Sequence, residues 1–124
     1  MLQENKDNKK YHFRYYRVSK GHPFLVVLVT ESKNKKGKIV YSGFNMTHSV
    51  IAVLKNPHNY IKLSINPNPQ DDCDSYLKTT LIREKAAQLF SSPIEGWGLS
   101  NEDEKTIDDL IKKKYPEIAK EKGD

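Results

Sequence analysis

One cysteine in 124 residues, Cys73, removes internal disulfides and cysteine-based zinc sites from consideration. It stands in the acidic stretch QDDCD, whose carboxylates disfavour a thiolate, so it reads as a bystander rather than a nucleophile. Long apolar runs are missing too: Phe24 to Val29, six residues, is the longest, against the roughly 18 to 20 that a membrane-spanning helix needs. The opening MLQENKDNKK has no apolar segment of the kind that directs secretion, so the expected compartment is the cytoplasm. The six glycines are scattered and form neither G-x-G-x-x-G nor G-x-x-x-x-G-K-S/T, which argues against nucleotide hydrolysis. No nucleophile elbow supports a serine hydrolase. His12, His22, His48 and His58 lack helical i, i+3 or i, i+4 partners, and Asp71, Asp72 and Asp74 lack the glycine and distal glutamate of a calcium loop. No metal and no cofactor are therefore expected.

What is present is a charge asymmetry. Residues 1–62 carry 12 Lys and Arg against 3 Asp and Glu, a balance of +9, whereas residues 63–124 carry 9 against 13, a balance of −4. A basic half beside an acidic half suits a face for a polyanion, although lysine-rich composition also serves solubility alone. The length predicts one domain.

Residues 1–10 have no apolar period and read as a disordered basic tail, leaving 11–124 as the folded unit. The run YHFRYYRV from Tyr11 predicts a strand with Tyr11, Phe13 and Tyr15 on one face and His12, Arg14 and Tyr16 on the other. A turn at Ser19 to Pro23 precedes FLVVLVTE, a strand whose unbroken apolarity predicts burial on both faces. SKNKKG is a hairpin loop, and Lys38 to Phe44 returns as a third strand. Val50 to Leu54 fits a short strand or a helical turn equally. Tyr60 to Ile65 alternates as a fourth strand, with Ile61, Leu63 and Ile65 inward and Tyr60, Lys62 and Ser64 outward, and Ser75 to Ile82 as a fifth, with Leu77, Thr79 and Leu81 opposite Tyr76, Lys78, Thr80 and Ile82. Arg83 to Phe90 has the composition of a short helix. Ser100 and Asp103 mark the start of a C-terminal helix over about 100–115, with Ile107, Leu110, Ile111 and Tyr115 as its apolar stripe. The sum is an α+β domain: a small, mostly antiparallel sheet, curled into a barrel by its tight loops, with a short helix and a C-terminal helix.

Chemistry gathers at strand ends. The loop SKNKKG makes the second and third strands a hairpin, so the start of one and the end of the other are neighbours at the opposite end. His22 therefore converges with Thr47, His48 and Ser49, while Arg14, Tyr16, Arg17 and Lys20 lie on or beside the first strand as candidate nucleic-acid contacts. Imidazoles, hydroxyls and guanidinium groups are suitable parts for cleaving an RNA phosphodiester without a metal: one group takes the 2′-hydroxyl proton, another protonates the leaving oxygen, and an arginine offsets phosphorane charge. A structural role is open to the same residues, with His22 and His48 capping strand ends, Thr47 and Ser49 holding a turn, and the arginines solvated. Tyr15, Tyr16, Tyr41, Tyr60 and Tyr76 are base-stacking platforms or ordinary sheet residues. Trp97, in EGWG, reads as a plug over the barrel end, and NPNPQDDCD as a rigid surface loop or a partner-binding edge.

In the order of these elements the chain resembles the PemK/MazF superfamily of toxin–antitoxin endoribonucleases. His22-Pro23-Phe24-Leu25-Val26-Val27 looks like that family's Arg-Pro and following aliphatic strand, Phe44-Asn45-Met46-Thr47-His48-Ser49 like its strand ending in Thr/Ser, and Trp97-Gly98-Leu99-Ser100 like its step into the helix. The resemblance covers about residues 21–115. It implies an SH3-like barrel, metal-independent RNA cleavage with Thr47 at the catalytic threonine, an antitoxin partner and a homodimer. The family's catalytic arginine is His22 here, so either His22 acts as acid or base, or Arg14 or Arg17 supplies the positive charge. A non-catalytic module binding nucleic acid or a protein, such as a phage or plasmid accessory factor, uses the same basic strand without needing His22 and Thr47 to meet.

Overall fold

The longest apolar run becomes the middle of the sheet. β2 (Pro23–Glu31) and β3 (Ile39–Thr47) pair antiparallel from Phe24 opposite Asn45 to Glu31 opposite Ile39. The computed structural model describes residues 12–16 and 22–121, with side chains over 22–118. Phe24 to Val27 are 0 to 2% exposed, as their unbroken apolarity predicts, but Val29 is 48% exposed, past a bulge between Val26 and Leu28. The loop is shaped by Ser32 Oγ, which accepts from the amides of Asn34 and Lys35, and by Gly37 at φ +82°, where a side chain would be strained.

β1 (His12–Tyr16) pairs with β2, and β7 (Phe90–Pro93) pairs with β1. On the other side, β3 has two partners along its length. β5 (Tyr76–Lys78) takes Met46 and Thr47, and β6 (Ile82–Ala86) takes Val40 to Gly43. β4 (Tyr60–Lys62) completes the path β4-β5-β3-β2-β1-β7. All these pairings are antiparallel, and among the described residues none joins β4 to β7, so the sheet is open along this path.

The helix expected over Arg83 to Phe90 does not form: β6, a 3-10 turn at Ala87–Leu89 and the start of β7 occupy it. Intrinsic propensity offers only a few tenths of a kcal/mol per residue, and an eight-residue helix is marginal alone, whereas the uncovered edge of β3 offers a ladder of backbone hydrogen bonds. The strand bends where Glu84 adopts φ +51° and donates its N–H to Ser42 Oγ. The expected fifth strand likewise breaks at 79–81. There the Tyr115 hydroxyl donates to Thr79 O and accepts from Leu81 N, and Thr79 donates to Asn59 O, so these groups are satisfied outside any strand ladder.

Val50–Lys55 is a helix, α1, capped by Ser49 Oγ accepting from the Ala52 amide and stopped before Pro57. None of its residues is buried. α2 (Asn101–Lys114) begins as the sequence predicts, with Ser100 Oγ accepting from the Asp103 amide, and α3 (Pro116–Glu121) follows. Ile107, Ile111 and Ile118 pack on Leu25, Val27, Phe44, Met46, Leu63, Leu77 and Leu81, with Leu110, Trp97 and Tyr115 at the margin. On the opposite side of the sheet Phe24 and Val26 meet Tyr41, Ile82 and Phe90 in a second cluster.

The Asp103 carboxylate does not return to Ser100. It is 3% exposed and accepts from the Ser64 amide, the Ser64 hydroxyl and the Ile65 amide, which turns the chain out of β4 and leaves Ile65 exposed instead of inward. Because hydrogen bonds to a charged group contribute about 1.5 to 3 kcal/mol, Asp103→Ala is expected to cost about that much in chemical denaturation, with Asp103→Asn losing less. Equal stability of Asp103→Ala and wild type would show that the clamp contributes nothing.

Candidate nucleic-acid interface

Register decides which side chains meet at the open end of the hairpin. Phe24 faces Asn45, so continuing β2 backward brings His22 level with Thr47. Across the next strands, Thr47 faces Tyr76, which faces Lys62, while Lys78 faces Tyr60 and is in step with Asn45. Paired residues share a face. Met46 and Leu77 therefore point into the core, where both are buried, and Asn45, Thr47, Tyr60, Lys62, Tyr76 and Lys78 form two polar rows on the outer face.

His22, Asn45, Met46, Thr47, Tyr60 and Lys78 line an open pocket of about 150 Å³ on that face. It gathers an imidazole, an ammonium, a carboxamide and two hydroxyls. All can donate to an anionic oxygen, and the ammonium adds a full positive charge. Thr47 Oγ1 accepts from the Ser49 amide at 3.0 Å, which fixes the side chain and leaves its O–H to donate.

His22 and Thr47 thus meet as hairpin closure predicts, but the other two candidates do not join them. Ser49 Oγ is occupied capping α1, and His48 is exposed beside the NPNP loop, where it contributes to the lowered pKa of Asp71 after the larger effects of the Cys73 amide and thiol. The backbones of Arg14 and Tyr16 lie in β1, opposite Phe24 and Phe90 respectively. Their side chains, together with Arg17, Lys20, Tyr11 and the tail at 1–10, lie outside the described residues. Arg83 points elsewhere: it pairs with Glu117 at 2.5 Å and lies over the Tyr115 ring. Among the described residues Lys78 is accordingly the lysine or arginine that lines the pocket.

Asn45 and Lys78 are not among the residues singled out from the sequence, and Tyr60 is singled out there only as a base-stacking platform or an ordinary sheet residue. Alternation already puts Tyr60 and Lys78 opposite Leu63 and Leu77, but it carries no information that β5 docks beside Thr47. Asp71, Asp72 and Cys73 bring their side-chain ligand atoms within 4.8 Å of one another in the exposed loop after β4. The Cys73 thiol is held protonated, first by its hydrogen bond to Asp71 and then by that carboxylate's charge, which opposes both metal capture and nucleophilic reaction. Removing both the acceptor and its charge lowers the thiol pKa, so Asp71→Ala is expected to speed iodoacetamide alkylation of Cys73 at neutral pH; an unchanged rate would refute the hold of Asp71 on the thiol.

No family model, no curated protein and no solved structure matches the chain. No helix among the described residues is long and apolar enough to cross a membrane.

Proposed function

We propose that the protein is a metal-independent RNA endonuclease built on an SH3-like, PemK/MazF-type sheet, of the kind carried by toxin–antitoxin and mobile-element systems. The supporting observation is that His22 and Thr47, far apart in sequence, line one open pocket with Lys78, Asn45 and Tyr60. RNA carries its own nucleophile, so the protein has to move two protons and offset charge. His22 exchanges a proton with the reacting oxygens. The 2′-oxygen forms a bond to phosphorus as its proton leaves, the bond to the 5′-oxygen breaks as that oxygen gains a proton, and the products are a cyclic phosphate and a 5′-hydroxyl. Lys78 takes the part expected of an arginine, and Thr47 and Asn45 donate to the non-bridging oxygens. An inhibitory antitoxin protein and a second copy of the chain are the partners this reading carries.

One observation favours a second reading. Among the described residues His22 is the only imidazole lining the pocket, which suits a module that holds nucleic acid without turnover. Unstructured RNA incubated in EDTA separates the two. Fragments with 5′-hydroxyl ends from wild type, but not from His22→Ala or Thr47→Ala, support the endonuclease, and cleavage that survives both substitutions overturns it. Salt-sensitive binding with no fragments selects the module.

A further inference from the structure

β4 and β5 place two tyrosines and two lysines at alternate corners of a square. Tyr60 faces Lys78, and Tyr76 faces Lys62. All four lie on the face away from Leu77 and the core, and β4 is the last strand of the path, so among the described residues no strand extends beyond it. Direct neighbours across such a pair have Cβ atoms about 5 Å apart and diagonal neighbours about 7 Å, which sets the rings side by side with a cation beside each.

The tyrosines lack the usual structural reasons for an aromatic in a sheet. Phe24, Tyr41, Phe44, Phe90, Trp97 and Tyr115 all belong to or pack against one of the two core clusters, whereas Tyr60 and Tyr76 belong to neither. Among the described residues neither phenol has a hydrogen bond and neither ring a ring partner, while Tyr115 has both. Among the described residues Lys62 is held only by Asp74 at 3.4 Å, with both side chains more than half exposed, an ion pair weak enough for a phosphate to displace.

We infer that the outer face of β4 and β5 is a stacking platform for two successive unpaired bases of single-stranded RNA. Tyr60 takes the base at the pocket, Tyr76 takes its neighbour, and Lys62 and Lys78 hold the intervening backbone. The inference rests on the nucleic-acid reading of the pocket and adds the substrate class. Aromatic platforms accept any base because every base has a π-face, and they reject duplexes because paired bases keep their faces stacked on one another.

The test uses an eight-nucleotide 2′-O-methyl RNA, which lacks the reacting hydroxyl and so reports binding alone, read by fluorescence anisotropy. Tyr76→Leu, which keeps an apolar side chain but removes the π-face, is expected to weaken binding roughly ten-fold or more, as is Tyr60→Leu. Tyr76→Phe is expected to bind within about two-fold of wild type, and a duplex of the same sequence at least about ten-fold more weakly. Tyr76→Gln reads the same loss should the leucine variant fold poorly by circular dichroism. Both leucine variants binding as wild type while Lys78→Gln binds weakly would overturn the platform and leave the nucleic-acid reading standing. Tyrosine-dependent binding without cleavage of unmodified RNA supports the platform and removes only the endonuclease. Wild type binding no single strand overturns both.

Discussion

His22→Ala is expected to slow RNA cleavage in EDTA by roughly 10²- to 10⁴-fold, the contribution of one positioned proton-transfer group, or about 3 to 5 kcal/mol of barrier. The side chain is exposed and precedes β2, so the variant should fold as wild type, within about 0.5 kcal/mol, and the loss belongs to chemistry rather than stability. The loss should fall on kcat, because an imidazole that moves a proton acts on the transition state more than on the bound strand. Lys78→Gln should behave differently. Its ammonium holds the phosphate already in the ground state and offsets further charge in the transition state, so KM rises along with a fall in kcat, and the salt dependence of binding drops by about one phosphate contact. His22→Ala cleaving within a few-fold of wild type would take His22 out of the reaction and leave the pocket as a binding site.

Gly43→Ala is expected to destabilise the fold by ~3 kcal/mol or more. An added Cβ would lie 2.0 Å from the Leu25 carbonyl oxygen and 2.8 Å from the Phe24 ring. Overpacking usually costs about 1 to 3 kcal/mol because side chains yield, but here the nearest atom is backbone in the central strand pair, and that strand moves only if the ladder does. Gly43 also lies beside register shifts in its pairings with both β2 and β6, so little slack is left on either side. For a chain of this size the melting temperature should fall by roughly 10 °C or more. Gly98→Ala is the matched control, since nothing lies within 4 Å of its Cβ position and it should melt with wild type. Equal melting of the two variants would disprove the steric account.

The α+β class and the core faces were readable because they follow from local rules. Phe24 to Val27 declare their burial by having no polar member, and Ser100, Ile107 and Ile111 declare α2 by capping and period. The convergence of His22 and Thr47 was readable because a short hairpin loop fixes which strand ends meet. Arg83 to Phe90 was misread because its conformation is decided by the uncovered edge of β3, some 40 residues earlier in the chain, rather than by its own helix-forming side chains. Lys78 escaped for the same reason: alternation set it on the face opposite Leu77, but its neighbours were set when β5 docked beside Thr47. Asp103 looked like a capping residue because sequence shows its position in the first turn and not the amides of Ser64 and Ile65 beneath it.

The two side-chain clamps of α2 reach opposite ends of the β4–β5 pair. Asp103, in the first turn, holds Ser64, beyond the Lys62–Tyr76 end, and Tyr115, at the C-cap, holds Thr79, beyond the Tyr60–Lys78 end. The helix therefore works as a splint on the inner surface, which on the proposed reading sets the spacing of the outer rings before any strand of RNA arrives. A ligand meets a face whose ordering was completed when α2 docked, and a change at Asp103 or Tyr115 is transmitted to that face with every residue on it unaltered.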